Sequence, residues 1–276
     1  MRAHVIVLPS LLLVVAATFA EGCAVPPGAR ATAEPSLDLS RAQIIDLSHT
    51  YGADTLYWPT SPSDFELQQL AHGVTEGGWF YSANLLCTPE HGGTHLDAPI
   101  HFHDDVWTAD QIAVERFVRP AVVIDVSAMA AENPDYVLTP DDLATWESRH
   151  GRVPAGSIVL LRTGWDARWP DRLAYLGDDT PGDASNLHFP SFGAEAARAL
   201  VERGIYGLGV DTASIDPGSS KTFPVHRITA AENIYGLENL RALDQLPPRG
   251  AWIAALPMKI EGGSGGPARV VALLAE

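Results

Sequence analysis

The sequence predicts an α/β domain, and three observations predict it. Short apolar, β-branched runs recur along the chain, each bounded by Gly, Pro or Asp as buried strands tend to be. Two of the intervening segments carry helix start and stop signals. Strand-like and helix-like segments alternate, as they do where helices cover a sheet.

The first element is not part of that domain. Arg2 precedes an apolar stretch that runs through Val14 and Val15 to Ala20, with small residues near its end. A short positive region, an apolar region and a small-residue cleavage site read as a secretory signal over residues 1–22, too short for a convincing membrane span. Cleavage after Ala20 is one outcome. Lipid attachment at Cys23 is the alternative, although Glu21 departs from a lipobox. Either way the expected location is outside the cytoplasm, periplasmic or anchored to a membrane as a lipoprotein. Residues 23–37 are rich in Ala, Pro and Gly and read as a flexible tether. Residues 38–276 are then the folded domain, with enough Val, Ile, Leu and aromatic residues for a sizeable core.

Within that domain the predicted strands are Ile44–Leu47, Val122–Val126, Ile158–Leu161, Ile205–Val210, Trp252–Leu256 and Val270–Leu274. Thr139-Pro140-Asp141-Asp142 supplies an N-cap, a first-turn proline and an acidic third residue, so a helix runs from there to about His150. A second helix spans Phe192 to Arg203, with Ser191 as a possible cap and Gly204 as its stop. The order of the strands stays open.

Composition excludes several functions. The net charge of −16 argues against nucleic acid or an anionic membrane as the main partner. Two cysteines, Cys23 and Cys87, support neither a disulfide framework nor a thiolate zinc site, so any metal must be held by His, Asp and Glu.

The densest polar cluster is Glu90-His91-Gly92-Gly93-Thr94-His95-Leu96-Asp97-Ala98-Pro99-Ile100-His101. Its glycines and proline make a regular helix unfavourable. In an extended segment His95, Asp97, Pro99 and His101 share one face, and His91 joins them if Gly92-Gly93 bends inward. Imidazoles with a carboxylate suit zinc or manganese with a position left open for water. Glu90 and Thr94 either orient the imidazoles or cap the loop.

His91-x-Gly93-Thr94-His95-x-Asp97-x-Pro99-x-His101 resembles the signature of the cyclase family of metal hydrolases, which includes kynurenine formamidases and isatin hydrolases. Asp46-Leu47-Ser48-His49, Tyr57-Trp58-Pro59, Gly209 through Asp216, and His226 through Leu240 fit further family segments. The resemblance implies a single compact domain with a mixed sheet and flanking helices, of swivelling β/β/α-like architecture. It implies His91, His95, Asp97, His226 and Glu238 as ligands of one or two ions of Zn2+ or Mn2+, with His101 as proton donor. Spacing alone does not join His226 to Glu238, because twelve residues of straight helix leave them on different faces unless Gly236 breaks it. The resemblance also implies a homo-oligomer.

The implied reaction is hydrolysis of a carbon–nitrogen bond outside a peptide, in a cyclic amide such as isatin or an N-formyl arylamide, by water activated at the metal. A lactone or ester hydrolase, and a non-catalytic metal-binding lipoprotein, are the alternatives. A serine nucleophile is disfavoured: Gly-x-Ser-x-Gly is absent, and Gly263-Ser264-Gly265 reads as a tight turn or a close approach to the pocket. Trp58, Trp79, Phe80 and Tyr81 precede the motif where relatives place pocket walls, so they are expected to contact a flat aromatic or heterocyclic small molecule. Asp211, Ser214 and Asp216 either line the site or form a turn. Lys221 and Arg227 either meet a substrate carboxylate or are loop charges.

Overall fold

The computed structural model describes residues 38–275. The signal segment 1–22, the tether 23–37 with Cys23, and the terminal Glu276 lie outside the described residues.

The strands are β1 (Gln43–Asp46), β2 (Glu66–Val74), β3 (Phe80–Cys87), β4 (His95–Asp97), β5 (Val118–Asp125) and β6 (Val137–Leu138). They continue with β7 (Ile158–Arg162), β8 (Ser191–Phe192), β9 (Gly207–Val210), β10 (Tyr235–Glu238), β11 (Arg249–Pro257) and β12 (Gly265–Leu274). The helices are α1 (Ser127–Glu132), α2 (Pro140–His150), α3 (Arg172–Leu176), α4 (Ala194–Val201) and α5 (Pro224–Ala230).

Eight strands form one mixed sheet in the order β1-β12-β11-β5-β7-β9-β10-β4. The neighbours β5, β7, β9 and β10 run parallel, and the remaining pairs are antiparallel. The sheet closes on itself, because β12 pairs β4 through Gly265–Pro267 and also pairs β11 and β1. A closed sheet has an inside and an outside, and strand periodicity sorts the side chains between them. In β5, Ala121 and Val123 enter the interior cluster with Leu160, Leu237, Ile253 and Val270. Val122 and Ile124 face the other way, against Leu143 and Trp146 of α2 and Ala196, Ala197 and Leu200 of α4. Each large apolar side chain so buried contributes roughly 1.5–3 kcal/mol.

All six predicted strands form, and α2 has its predicted start: Thr139 Oγ1 accepts from Asp142 N while an Asp142 carboxylate oxygen accepts from Thr139 N. The second helix begins later than expected. Ser191 and Phe192 pair with β6 as β8, and the Ser191 hydroxyl donates to Ser214 O, so Gly193 takes the cap position. Gly204 follows at φ 72°, the left-handed backbone that ends the segment.

The hairpin β2–β3 forms a separate two-stranded sheet. Among the described residues, no helix is long and apolar enough to cross a membrane.

Candidate metal centre

β4 carries the centre of the motif. It is wedged between β10 and β12, with Glu238 opposite His95 on one side and Pro267 opposite His95 on the other. Residues directly opposite in an antiparallel pair share a face, and i, i+2 residues share it too. His95, Asp97 and Glu238 therefore converge, and all three are buried.

The turn before β4 brings in His91. Gly92 and Gly93 sit at φ 154° and 55°, where side chains are strained, and the rings of Tyr57 and Tyr51 fill the space a Cβ would need. The Tyr51 hydroxyl lies 2.7 Å from both Gly92 O and Thr94 O, which fixes the bend. Thr94 takes a scaffolding role: its hydroxyl donates to Asn239 O and accepts from His49 N.

His101 is not on the strand face the sequence predicted. β4 ends at Asp97, and Pro99–His101 form a 3-10 turn in which His101 N donates to Ala98 O. The fixed φ of Pro99 favours that turn over continued extension. It folds the His101 ring back onto His91, with centroids 3.8 Å apart and planes 15° from parallel.

His226 comes from α5 and Glu238 from β10, so no single helix carries both and the pair meets through the fold. α5 stops at Ala230, and the chain re-enters the sheet at Tyr235. Glu238 is buried, which its sequence context gave no reason to expect.

The distances are short. His91 Nδ1 lies 2.6 Å from Asp97 Oδ1, and His95 Nε2 lies 3.2 Å from Asp97 Oδ1 and 3.5 Å from Glu238 Oε2. His226 Nε2 lies 3.0 Å from Asp97 Oδ2 and 3.2 Å from Glu238 Oε1. Two sets of ligand atoms each fall within 4.8 Å of one another: His91, Asp97 and His101, and His95, Asp97 and Glu238. Asp97 belongs to both, as a carboxylate shared by two ions would.

The donor set fits a cation. His95 Nδ1 donates to Gly93 O at 2.9 Å, and His226 Nδ1 donates to Asp216 Oδ2 at 2.8 Å. Each therefore turns Nε2 towards the carboxylates, the outer hydrogen bond fixing which nitrogen faces in. Burial pushes the His95 imidazole down, but Asp97 and Glu238 outweigh it and hold its pKa at about 9. His226 is likewise opposed by burial, yet its bonds to Asp216, Asp97 and Glu238 hold it well above the usual value. Burial raises the Asp97 carboxyl, and the neighbouring His95 and His91 outweigh that and pull it well below its usual range. Glu238 is raised, by burial first and by Asp97 second. The protons on these imidazoles balance two buried carboxylates, and a divalent ion would supply the same charge. His101 differs: burial drives it down to about 4.

A cavity of about 230 Å³ opens onto the cluster. Leu56, Tyr57, Trp58, Phe102, Leu176 and Phe223 line its apolar side. The Phe223 ring sits 5.2 Å from Phe102 and 6.2 Å from Trp58, giving a slot with aromatic walls. Trp58 is thus where the sequence expected it. Trp79 and Phe80 are not: they lie at the tip and start of the exposed hairpin, 63% and 61% exposed, and do not line the cavity. β3, which begins at Phe80, pairs with β2 in a two-stranded sheet separate from the eight-stranded one. Lys221 donates to Ala184 O and Ser185 O, and Arg227 lines a groove between α4 and α5, so neither reaches the cavity. Among the described residues, the cavity lining contains no Lys or Arg.

The sequence reading missed Phe102 and Phe223, although each is a step or three from a motif histidine. It left Asp216 undecided; this carboxylate is fully buried, caps α5 by accepting from Val225 N and His226 N, and holds His226 Nδ1.

Fold and site together define a metal-dependent hydrolase. The Cyclase family model matches residues 45–217, and the chain belongs to that family. It is 34% identical to an isatin hydrolase of Roseibium aggregatum, over 84% of this chain and 92% of the relative. It is 30% identical to a kynurenine formamidase of Salinibacter ruber, over 83% of this chain and 96% of the relative. Isatin hydrolase A from Ralstonia solanacearum superposes with a TM-score of 0.76 at 41% identity, covering 85% of this chain and 92% of that one.

Proposed function

We propose that the chain opens a neutral, flat cyclic amide of the isatin type, and that His91, His95, Asp97, His226 and Glu238 hold one or two ions of zinc or manganese for the purpose. One observation carries the choice of substrate. The cavity that meets the histidine–carboxylate cluster has aromatic walls and, among the described residues, no Lys or Arg to pair with a substrate carboxylate. N-formylkynurenine brings an amino-acid head group whose carboxylate would be desolvated there without a partner, which is costly. Isatin presents only a fused aromatic ring and two adjacent carbonyls, and fits a slot between Trp58, Phe102 and Phe223.

A bound ion supplies polarised water and an electrophile for the amide carbonyl. The remaining work falls to the chain. His101, stacked on His91 at the cavity and outside the proposed ligand set, accepts a proton from the attacking water and passes it to the leaving nitrogen. Phe102 and Phe223 keep bulk water from the cluster.

We further propose that the protein is exported through residues 1–22 and works as a homo-oligomer. The hairpin supports the latter, because Leu67, Leu70, Val74, Leu85 and Leu86 are exposed on it with Trp79 and Phe80. A lone two-stranded unit is marginally stable in water, and a second copy would cover it.

The test is kcat/KM for isatin against N-formylkynurenine with the metal-loaded protein, with elemental analysis alongside. A preference for isatin of about tenfold or more, roughly 1.4 kcal/mol, supports the reading. A preference for N-formylkynurenine overturns the substrate assignment, and absence of specific metal after reconstitution overturns the mechanism.

A further inference from the structure

The Gly263-Ser264-Gly265 turn touches the site from behind. A Cβ added at Gly263 would lie 2.8 Å from Glu90 Oε1, and one at Gly265 would lie 2.7 Å from His91 Cε1 and 2.4 Å from Leu96 O. Only glycines on both sides let the turn close this tightly on Glu90 and His91. Its backbone is anchored independently of the serine hydroxyl: Ala98 N donates to Ser264 O, Ala109 N to Gly263 O, and Gly262 N to Asp110 Oδ1.

The direction of the side-chain hydrogen bonds is forced. A carboxylate only accepts. The Ser264 hydroxyl lies 2.6 Å from Glu90 Oε2, and Ser264 N donates to the same oxygen, so the single hydroxyl hydrogen is committed to Glu90. His91 Nε2, 2.8 Å from Ser264 Oγ, must then be the donor in that contact. Nδ1 is the nitrogen turned to Asp97, at 2.6 Å, where the same rule places a proton, or a cation in its stead, between ring and carboxylate.

We propose that Ser264 and Glu90 are positioning residues that keep the proton of His91 on Nε2, so that Nδ1 faces the metal. The inference rests on the metal-site reading above. It gives His91 the kind of outer partner that Gly93 O gives His95 and Asp216 gives His226. Because His101 stacks on His91, holding this ring also holds the stack.

The experiment compares wild type with Ser264→Ala and Glu90→Gln. Zinc affinity is measured by calorimetric titration, and long-range proton–nitrogen NMR reads the His91 ring in metal-free and zinc-loaded protein. The expected result is a proton on His91 Nε2 in zinc-loaded wild type, with zinc binding weakened about 10- to 100-fold in both variants. Thermal unfolding checks that both variants fold, and Glu90→Gln stands alone if Ser264→Ala does not. The proposal is overturned if zinc-loaded wild type carries its His91 proton on Nδ1. It is also overturned if the folded variants bind zinc as tightly as wild type with the Nε2 resonance unmoved. If wild type binds no metal, the metal-site reading fails instead. The metal-free spectrum then still decides, because an Nε2 resonance indifferent to Ser264→Ala removes the hydrogen-bond chain.

Discussion

Glu238 stands directly across the β4–β10 ladder from His95, its carboxylate 3.5 Å from His95 Nε2 and 3.2 Å from His226 Nε2. It also accepts from Ile215 N at 2.8 Å, so its position is fixed by backbone on both sides. It completes one of the two ligand sets that share Asp97. Glu238→Gln keeps the size and the acceptor for Ile215 but removes the charge. Elemental analysis of the reconstituted variant is expected to show one equivalent of metal fewer than wild type. Equal metal content in both would mean that Glu238 holds no ion.

Asp216 acts one shell further out. Its fully buried carboxylate accepts from two backbone N–H groups at the start of α5 and from His226 Nδ1. Asp216→Ala leaves those donors buried without a partner. The expected cost is about 1–3 kcal/mol in urea unfolding, together with metal affinity weaker by about 10- to 100-fold. Unchanged affinity in a folded Asp216→Ala protein would show that His226 does not depend on it.

Much of this arrangement was legible in the sequence, and the reasons for the rest are physical. Local signals sufficed where a segment's own residues decide its structure, as with the Thr139–Asp142 capping box and the β-branched run of β7. They failed where a distant partner decides. Ser191 has the chemistry of a cap, but pairing between β6 and β8 draws it into a strand. Glu238 is named by the family resemblance alone, since it carries no local signal and pairing between β4 and β10 is what sets it opposite His95. His101 keeps its place in the motif yet reaches the cluster through a turn at Pro99 and not along a strand. Trp79 and Phe80 are apolar residues that no contact within this chain's cavity claims, and periodicity cannot distinguish such a hairpin from a pocket wall.

Away from the site, Glu147 and Arg203 tie α2 to the end of α4. Arg203 donates through Nε and Nη2 to the two carboxylate oxygens at 2.9 and 2.7 Å, and Val153 N donates to Oε1 as well. The Arg203 bonds, foremost, hold the Glu147 carboxyl below its ordinary value. A folded pKa below the unfolded one means stability that is present above the unfolded value and lost as pH falls through the folded one. Glu147→Gln is therefore expected to be less stable than wild type by about 1–2 kcal/mol near pH 7. Thermal melts should show that gap closing as pH falls below the glutamate range, about 4.3. A gap independent of pH would assign the loss to packing.

His101 lies where two roles meet, since its ring stacks on His91 and its nitrogen falls within reach of Asp97. A ligand and a proton carrier fail differently when removed. If His101 carries the proton, His101→Ala retains its metal on the other side chains. Its kcat for isatin then falls by about 10²- to 10⁴-fold while KM moves little. If His101 is a ligand, the same variant loses metal in proportion to activity, and added metal restores part of the rate. A neutral imidazole, the state burial imposes on His101, serves either role, so the variant decides between them. Metal content measured on the same preparation as kcat separates the two, and a variant that keeps both metal and full turnover would remove His101 from the mechanism.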